Sequence, residues 1–392
     1  MLTHLFKLIW NKKKQNFLLM LEMLVSFIVM FAVFSLLVFF YQNYRQPMGF
    51  IYNNVWSINL GSHEGDREKN DSAEAVKQST KNILLSIPQV EGLSYSGNNI
   101  PFSFSSSNTQ VAYQNKKSMA NIYTVEDGYM KVMQFKLTEG RWFEDADVAA
   151  KNRPVVINAA LKEKIFGKES PLGKLLGSDA EGMKVIGVVN DFKDKGDFQG
   201  AEPGLFQRAD TSSYKWMSEI LVKMRPGSGA AVESSLYKAL SASIKNSNIE
   251  IEYLSKKLVA KNNFTLVPMI ILLVVAGFLI INVALGLFGV LWYNINKRRS
   301  EIGLRRAVGA SAGSISKQLV GEALVLSTIS LLIGSFFAVQ FPLLHVFDLP
   351  ASVYLVALLL SVIFIYVLVL LCAWYPGKQA AAIYPAVALH EE

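Results

Sequence analysis

The chain has 392 residues, 51% of them hydrophobic, and 39 Lys and Arg against 31 Asp and Glu, a formal charge of +8. A mean hydropathy of +0.28 points to a chain partly dissolved in lipid. No nucleic-acid-binding motif accompanies the positive charge, so nucleic acid is not expected as a partner.

Residues 1–16 place Leu2, Phe6, Ile9 and Trp10 on one helical face with lysines elsewhere, the pattern of an amphipathic helix in the cytoplasmic headgroup layer. A transmembrane helix is expected at 17–41; its apolar run is too long for a signal peptide and no small-x-small cleavage pattern follows, so it is expected to be a retained anchor. Three further spans are expected at 264–293, 316–342 and 352–375. Each apolar stretch has about 20 or more residues, enough helix to cross a hydrocarbon core of roughly 30 Å.

The long segment 42–262 carries 28 Lys and Arg against 25 Asp and Glu and is close to neutral. It has no cysteine, since Cys372 is the only one and lies in the fourth span, so its core must stand without disulfides. A strand at 51–61, a helix at 72–87 and a strand at 90–97 are followed much later by a strand at 218–225, a helix at 229–246 and a strand at 249–255. Two strand-helix-strand units predict one ferredoxin-like α+β module, about 48–97 with 217–258, split by an insertion at about 98–216. Within the insertion, VVINAALKEKIFG (155–167) predicts a strand running into a helix that stops at Gly167. GMKVIGVVNDF (182–192) predicts a strand ended by Asn190 and Asp191.

Positive charge fixes the expected orientation. Lys7, Lys12, Lys13 and Lys14 precede the first span, Lys297, Arg298, Arg299, Arg305 and Arg306 lie between spans two and three with Lys317 at the very start of the third, Lys378 follows the fourth, and PLLHVFDLPA (342–351) has none. Both termini, the 296–312 segment and the tail at 376–392 are therefore expected in the cytoplasm, with 42–262 outside. The 296–312 segment contains RRSEIGLRRAVGA, long enough for about three helical turns, with Gly309 suited to its C-terminal end and Ser311 or Ser314 to the start of the next helix. Ile302, Ala307 and Val308 give it a small apolar edge, which suits docking into a protein groove better than plain headgroup anchoring. Glu22 and Glu322, near the cytoplasmic ends of their spans, are membrane-interface carboxylates that could pair with Arg298 or Arg299, or simply face water. Asn282, deeper in the second span, is a candidate for a hydrogen bond to another helix, and Gly277, Ala284 and Gly286 supply small residues for close packing.

Enzymatic chemistry has no foothold. The four histidines are scattered over both sides, and no HExxH, paired CxxC, GxSxG or phosphate-cradling loop occurs. No catalytic, cofactor-binding or metal-binding residues are therefore expected. The sparse polarity of the spans does not make a polar conduit.

KRRSEIGLRRAVGAS (297–311), LTEGRWF (137–143), VVINAAL (155–161), KIFGKESPLGK (164–174), VIGVVNDF (185–192) and the ending AAIYPAVALHEE together resemble the FtsX-like permease family, in the MacB type of ABC-transporter membrane subunit. Pro385, Ala386 and Leu389 stand at the family's positions, and His390 where the family often has Arg. The resemblance implies an α-helical membrane protein with four transmembrane helices, plus an α+β extracytoplasmic domain made of a ferredoxin-like "porter" part and an inserted "sabre" part. It implies an ATPase-coupling helix carried by Arg298, Arg299, Glu301, Ile302, Gly303, Arg305, Arg306, Ala307, Gly309 and Ala310. The resemblance together with the lack of a phosphate-cradling loop puts ATP and Mg, as an expectation, on a separate ABC ATPase, present in two copies beneath a homodimer or a pair of related permeases in the inner membrane. Membrane lipid and a periplasmic adaptor or outer-membrane channel are further expected partners. The implied activity is mechanotransmission: ATP-driven movement of the spans works the outer domain to export or extract an amphiphile such as a drug, peptide or lipid. A transmembrane regulator that activates a cell-wall hydrolase is the alternative, and a receptor without an ATPase a third reading.

Overall fold

The structure, a computed structural model, describes residues 13–61, 70–177, 182–210, 212–214, 217–244, 248–344, 346 and 349–382. Most of the amphipathic helix expected at 1–16 lies outside these residues, as do 383–392 of the expected tail. The chain forms two compact units, Met1–Gln42 with Val267–Glu392, and Asn43–Leu266.

The first unit is helical. Among the described residues, four helices are long and apolar enough to cross a membrane: α1 (Lys13–Tyr44), α6 (Leu254–Lys297), α8 (Ala312–Ala338), which α9 (Gln340–Leu343) extends, and α10 (Ala351–Ala381). Between α6 and α8 lies the short helix α7 (Arg299–Ala307). The spans pack through small residues set against large ones. A methyl group on Gly334 would sit 2.4 Å from Phe27 Cδ1, so the α8 glycine is what admits the buried α1 ring. One turn on, Phe31 meets Phe341 edge-on at 5.4 Å and stacks with Tyr354 at 6.2 Å. Thr328 and Tyr366 share a hydroxyl hydrogen bond of 3.0 Å between α8 and α10. The Asn282 amide donates to the Phe278 carbonyl of its own helix at 2.8 Å. That bond spans a single turn and needs no partner segment, so it forms wherever the side chain faces outward. Of the small residues on α6, Gly286 has a close neighbour in Glu22 of α1, whereas Gly277 faces open space.

The second unit is an α+β domain around one mixed sheet. Its strands are β1 (Val55–Leu60), β2 (Val90–Ser96), β3 (Asn108–Tyr113), β4 (Lys116–Val125), β5 (Leu137–Gly140), β6 (Arg153–Asn158), β7 (Leu175–Leu176), β8 (Met183–Val189), β9 (Gly204–Arg208), β10 (Glu219–Met224) and β11 (Ile249–Tyr253). The helices are α2 (Asn70–Leu85), α3 (Tyr129–Met133), α4 (Ala159–Ile165) and α5 (Ala230–Ser243). The sheet order is β11-β1-β10-β2-β4-β9-β6-β8-β5, with β3 on β4 and β7 on β8. Strands β11, β1, β10 and β2 pair antiparallel throughout. With α2 and α5 as crossovers, this is the ferredoxin-like order, assembled from two pieces of chain more than a hundred residues apart.

Alternation along the central strands explains why the module closes. Trp56 and Ile58 of β1, with Ile220, Val222 and Met224 of β10, face Leu84 of α2 and Leu236 and Leu240 of α5. Val55 and Leu221 point the other way, into an aromatic cluster with Tyr129, Phe135 and Phe206. Both faces are covered, so four of the six residues in each of β1 and β10 are apolar. Each buried large side chain contributes about 1.5–3 kcal/mol relative to exposure.

The insertion builds the other half of the sheet, β3 to β9. Among the described residues its strand pairing with the first half is confined to Ser96 with Val125, while the aromatic cluster packs the two halves together. Asn158 ends β6 and starts α4: its Oδ1 accepts from the Leu161 amide at 3.0 Å and from Gly204 at 2.8 Å, while its amide donates to the Glu202 carbonyl. Gly167 has φ +62 where α4 stops, as a residue must in the left-handed region. The turn after β8 is held by Asn190, whose amide donates to the Gly49 carbonyl at 2.8 Å, and by Asp191, which accepts from the Ala160 amide at 2.6 Å.

At the far end, the strand expected over 249–255 stops at Tyr253 and α6 begins at once with Leu254, ten residues before the expected span. The added turns carry Lys256, Lys257 and Lys261, good helix formers that the apolar pattern alone does not count.

Candidate functional site

The cationic element between the second and third spans is built by two sharp chain reversals. Helix α7 ends in a Schellman motif: the Gly309 amide donates to the Arg306 carbonyl at 3.1 Å and the Ala310 amide to Arg305 at 3.0 Å. Gly309 has φ +102, a conformation that glycine adopts without the penalty of a side chain. Two residues later Ser311 caps α8, its hydroxyl accepting from the Ser314 amide at 3.2 Å. The reversal thus needs only Gly309 and Ser311, both present at the expected places.

The inner face of α7 is fastened to its own unit. Ile302 is buried with Ile295, Ile315, Leu319 and Ala380, and Ala310 packs on the edge of the cluster. Gly303 is buried beside it. Arg298, just before the helix, reaches the Glu322 carboxylate of α8 at 3.1 and 3.3 Å, with both side chains largely shielded. Arg305 donates to Glu301 at 2.6 Å and to Gln318 Oε1 at 2.9 Å, and Gln318 in turn donates to Glu322 at 3.3 Å. One chain of polar contacts therefore runs from α7 to the start of α8 and back. Glu301 lies in the first helical turn and Arg305 and Arg306 in the last, each favourable to the helix dipole.

The apolar edge differs from the expected one. Ile302 turns inward, while Leu304, Ala307 and Val308, spaced i, i+3 and i+4, share the opposite face. Leu304 is 55% and Val308 83% exposed. Arg298, Ile302 and Arg305 are also one helical stripe apart, which is why the inner face takes them together. Glu22 is not beside the arginines; it lies along α6 against Gly286, whose missing Cβ gives the carboxylate room. Leu304 and Gln318 were not singled out from the sequence. An apolar residue spaced i, i+3 and i+4 with two others, and a glutamine four residues before Glu322, were the available signals.

Comparison with known proteins gives the family. Residues 17–237 match the MacB-like periplasmic core domain family, and residues 273–385 the FtsX-like permease C-terminal family. The ABC transporter permease YvrN of Bacillus subtilis (strain 168), itself described as uncharacterized, is 24% identical over an alignment covering all of both chains. A second permease of that organism, YknZ, is 24% identical over 68% of this chain and 66% of its own. The macrolide export ATP-binding/permease protein MacB of Neisseria gonorrhoeae is 26% identical over 58% of this chain, which spans only 36% of MacB. Among solved structures, the periplasmic region of MacB from Actinobacillus actinomycetemcomitans aligns with 54% of this chain and 94% of its own at 25% identity, with a TM-score of 0.39. The chain belongs to the MacB-like and FtsX-like family of ABC transporter permeases.

Proposed function

We propose that this permease passes motion from an ABC ATPase, bound at α7, through its spans to the outer α+β domain, which exports or extracts an amphiphile such as a drug, peptide or lipid. One observation carries the reading. Helix α7 is held from behind by Ile302 and by the Arg298–Glu322 and Glu301–Arg305–Gln318 contacts, so Leu304, Ala307 and Val308 are presented in advance on a fixed support. A preformed apolar strip flanked by arginines suits a protein groove, because little ordering entropy is left to lose on docking.

The working unit would be a pair of permeases over two ATPase subunits, which carry ATP and Mg. Lysines before α1 and the arginines of α7 favour the cytoplasm for both termini and for α7, with Asn43–Leu266 outside the inner membrane. An adaptor or outer-membrane channel would be the outer partner.

Affinity capture of the full chain in detergent tests the reading. An ATPase subunit should co-purify with the wild type and be lost when Glu301 and Arg305 are replaced together by Ala. Capture that the double variant leaves unchanged refutes docking at α7, and a reporter after residue 200 that is active in the cytosol refutes the orientation.

A further inference from the structure

Two loops of the outer domain, 101–107 and 193–198, gather at the ends of the two spans that lead into it. Each contributes a phenylalanine ring to an aromatic residue of a span. Phe104 meets Phe264 of α6 edge-on at 5.4 Å, and Phe198 stacks on Tyr44, the last residue of α1, at 5.8 Å and 16°. In sequence the partners are 160 and 154 residues apart, so neither pair is a local accident.

The loops are pinned with unusual care for surface segments. Lys193 is 2% exposed, and its ammonium donates to the carbonyls of Asn43 at 2.8 Å and Asp197 at 3.2 Å. It thereby satisfies a carbonyl at the C-terminal end of α1, where a cation also meets the negative end of the helix dipole. Burial pulls its pKa below the ordinary lysine range. Asn262 of α6 exchanges two hydrogen bonds with Asp197, at 2.7 and 3.0 Å. Lys261 donates to the Ser103 carbonyl at 2.9 Å and lies 4.5 Å over the Phe104 ring. The two loops also hold each other, through the Phe102 amide and the Asp194 carbonyl at 2.6 Å.

Such fastening leaves rings exposed rather than hidden: Phe104 is 63%, Phe264 67% and Tyr44 60% exposed. A single exposed phenylalanine needs no explanation. Here two pairs stand where apolar spans end, and one turn beyond Phe264 the outward residues Val267, Ile270 and Ile271 begin the lipid-length run of α6. Rings with polar tips or a lysine alongside, set at the end of a span, have the chemistry of the headgroup layer.

We propose that loops 101–107 and 193–198 are a membrane-surface foot, with Phe104 and Phe198 resting in the headgroup layer of the leaflet on the domain's side. The domain then touches lipid through its own loops as well as through its spans. This does not depend on how ATP drives the protein.

The lone cysteine makes the test direct. In a Cys372→Ser background, the full chain carries a single fluorescent label at Phe104→Cys, at Ser105→Cys, which leaves the Phe104 ring in place, or at Val148→Cys, an exposed control position on the same domain. Each is reconstituted in phosphatidylcholine vesicles containing a headgroup spin-labelled lipid. Quenching at 104 and 105 should exceed that at 148 several-fold, and Phe104→Asp should return the 105 label to the level of 148. Equal quenching at 105 and 148 overturns the proposal. So does a label at 105 shielded from both the lipid quencher and aqueous iodide, because that means a protein covers the patch.

Discussion

Leu304→Ser with Val308→Ser removes the outward strip of α7 while leaving its inner fastening untouched. Leu304 has about half of its surface left to bury and Val308 most of it. At about 1.5–3 kcal/mol for full burial of such a side chain, docking would gain about 1 kcal/mol from the first and about 1.5 kcal/mol from the second. Losing both, about 2.5 kcal/mol, corresponds to a fall in ATPase affinity of roughly 60-fold. The assay is titration of the purified ATPase against the full permease in nanodiscs, with thermal stability of the permease measured in parallel. Ile302→Ala provides the opposite signature. Ile302 is 6% exposed among Ile295, Ile315 and Leu319, so truncation should cost about 2–4 kcal/mol of local stability. Affinity within about threefold of wild type for the double serine variant, a change below ~0.7 kcal/mol, refutes the outward strip as the docking face. An unchanged thermal midpoint for Ile302→Ala refutes the assignment of the inner face.

Gly334→Ala should loosen α1 from α8, because the new methyl meets the buried Phe27 ring at 2.4 Å; overpacking of this kind costs about 1–3 kcal/mol, seen as a lower unfolding midpoint in detergent. Lys193→Met keeps the length of the side chain but strands two carbonyls; proteolysis within 193–198 should rise, while a surface control such as Val148→Ser leaves it unchanged. Acid should release the turn after β9. Partial burial raises the Asp210 carboxyl pKa, but hydrogen bonds from the Ser213 and Ser212 hydroxyls and the Ser213 amide, with Arg153 nearby, outweigh it and hold the group at about 2 against an ordinary 3.8. A depressed carboxylate contributes stability that is present above pH 3.8 and lost as pH falls toward about 2. Hydrogen exchange around 208–214 should accelerate across that window in the wild type and show no such step in Asp210→Asn.

Periodicity made several elements legible. Four apolar runs of lipid-crossing length, the alternation in β1 and β10, and the glycine and serine that reverse the chain after α7 are all signals written into adjacent residues. The split ferredoxin-like order followed from recognising the same strand-helix-strand succession twice. What escaped has a common cause. Strands β3, β4, β5 and β9 are short or half-polar, and their pairing with distant partners, β4 with β9 for example, decides their conformation more than their own composition does. Ile302 was expected on the docking edge because apolar residues were grouped by proximity, whereas helical spacing puts it opposite Leu304 and Val308. Phe104 and Lys193 carried no local sign at all. A phenylalanine between serines and a lysine between phenylalanine and aspartate become informative only when Phe264 and Asn43 are brought beside them.

The outer sheet has a seam one residue pair wide, Ser96 against Val125. On one side the four antiparallel strands complete their own ladder; on the other the inserted strands complete theirs. Lengthening or reshaping the second ladder away from the seam would leave the hydrogen bonding of β11, β1 and β10 unaltered. Variation in the inserted ladder can therefore accumulate without touching the first, except in loops 101–107 and 193–198, which are fastened to the ends of α1 and α6 and are bound to stay as they are.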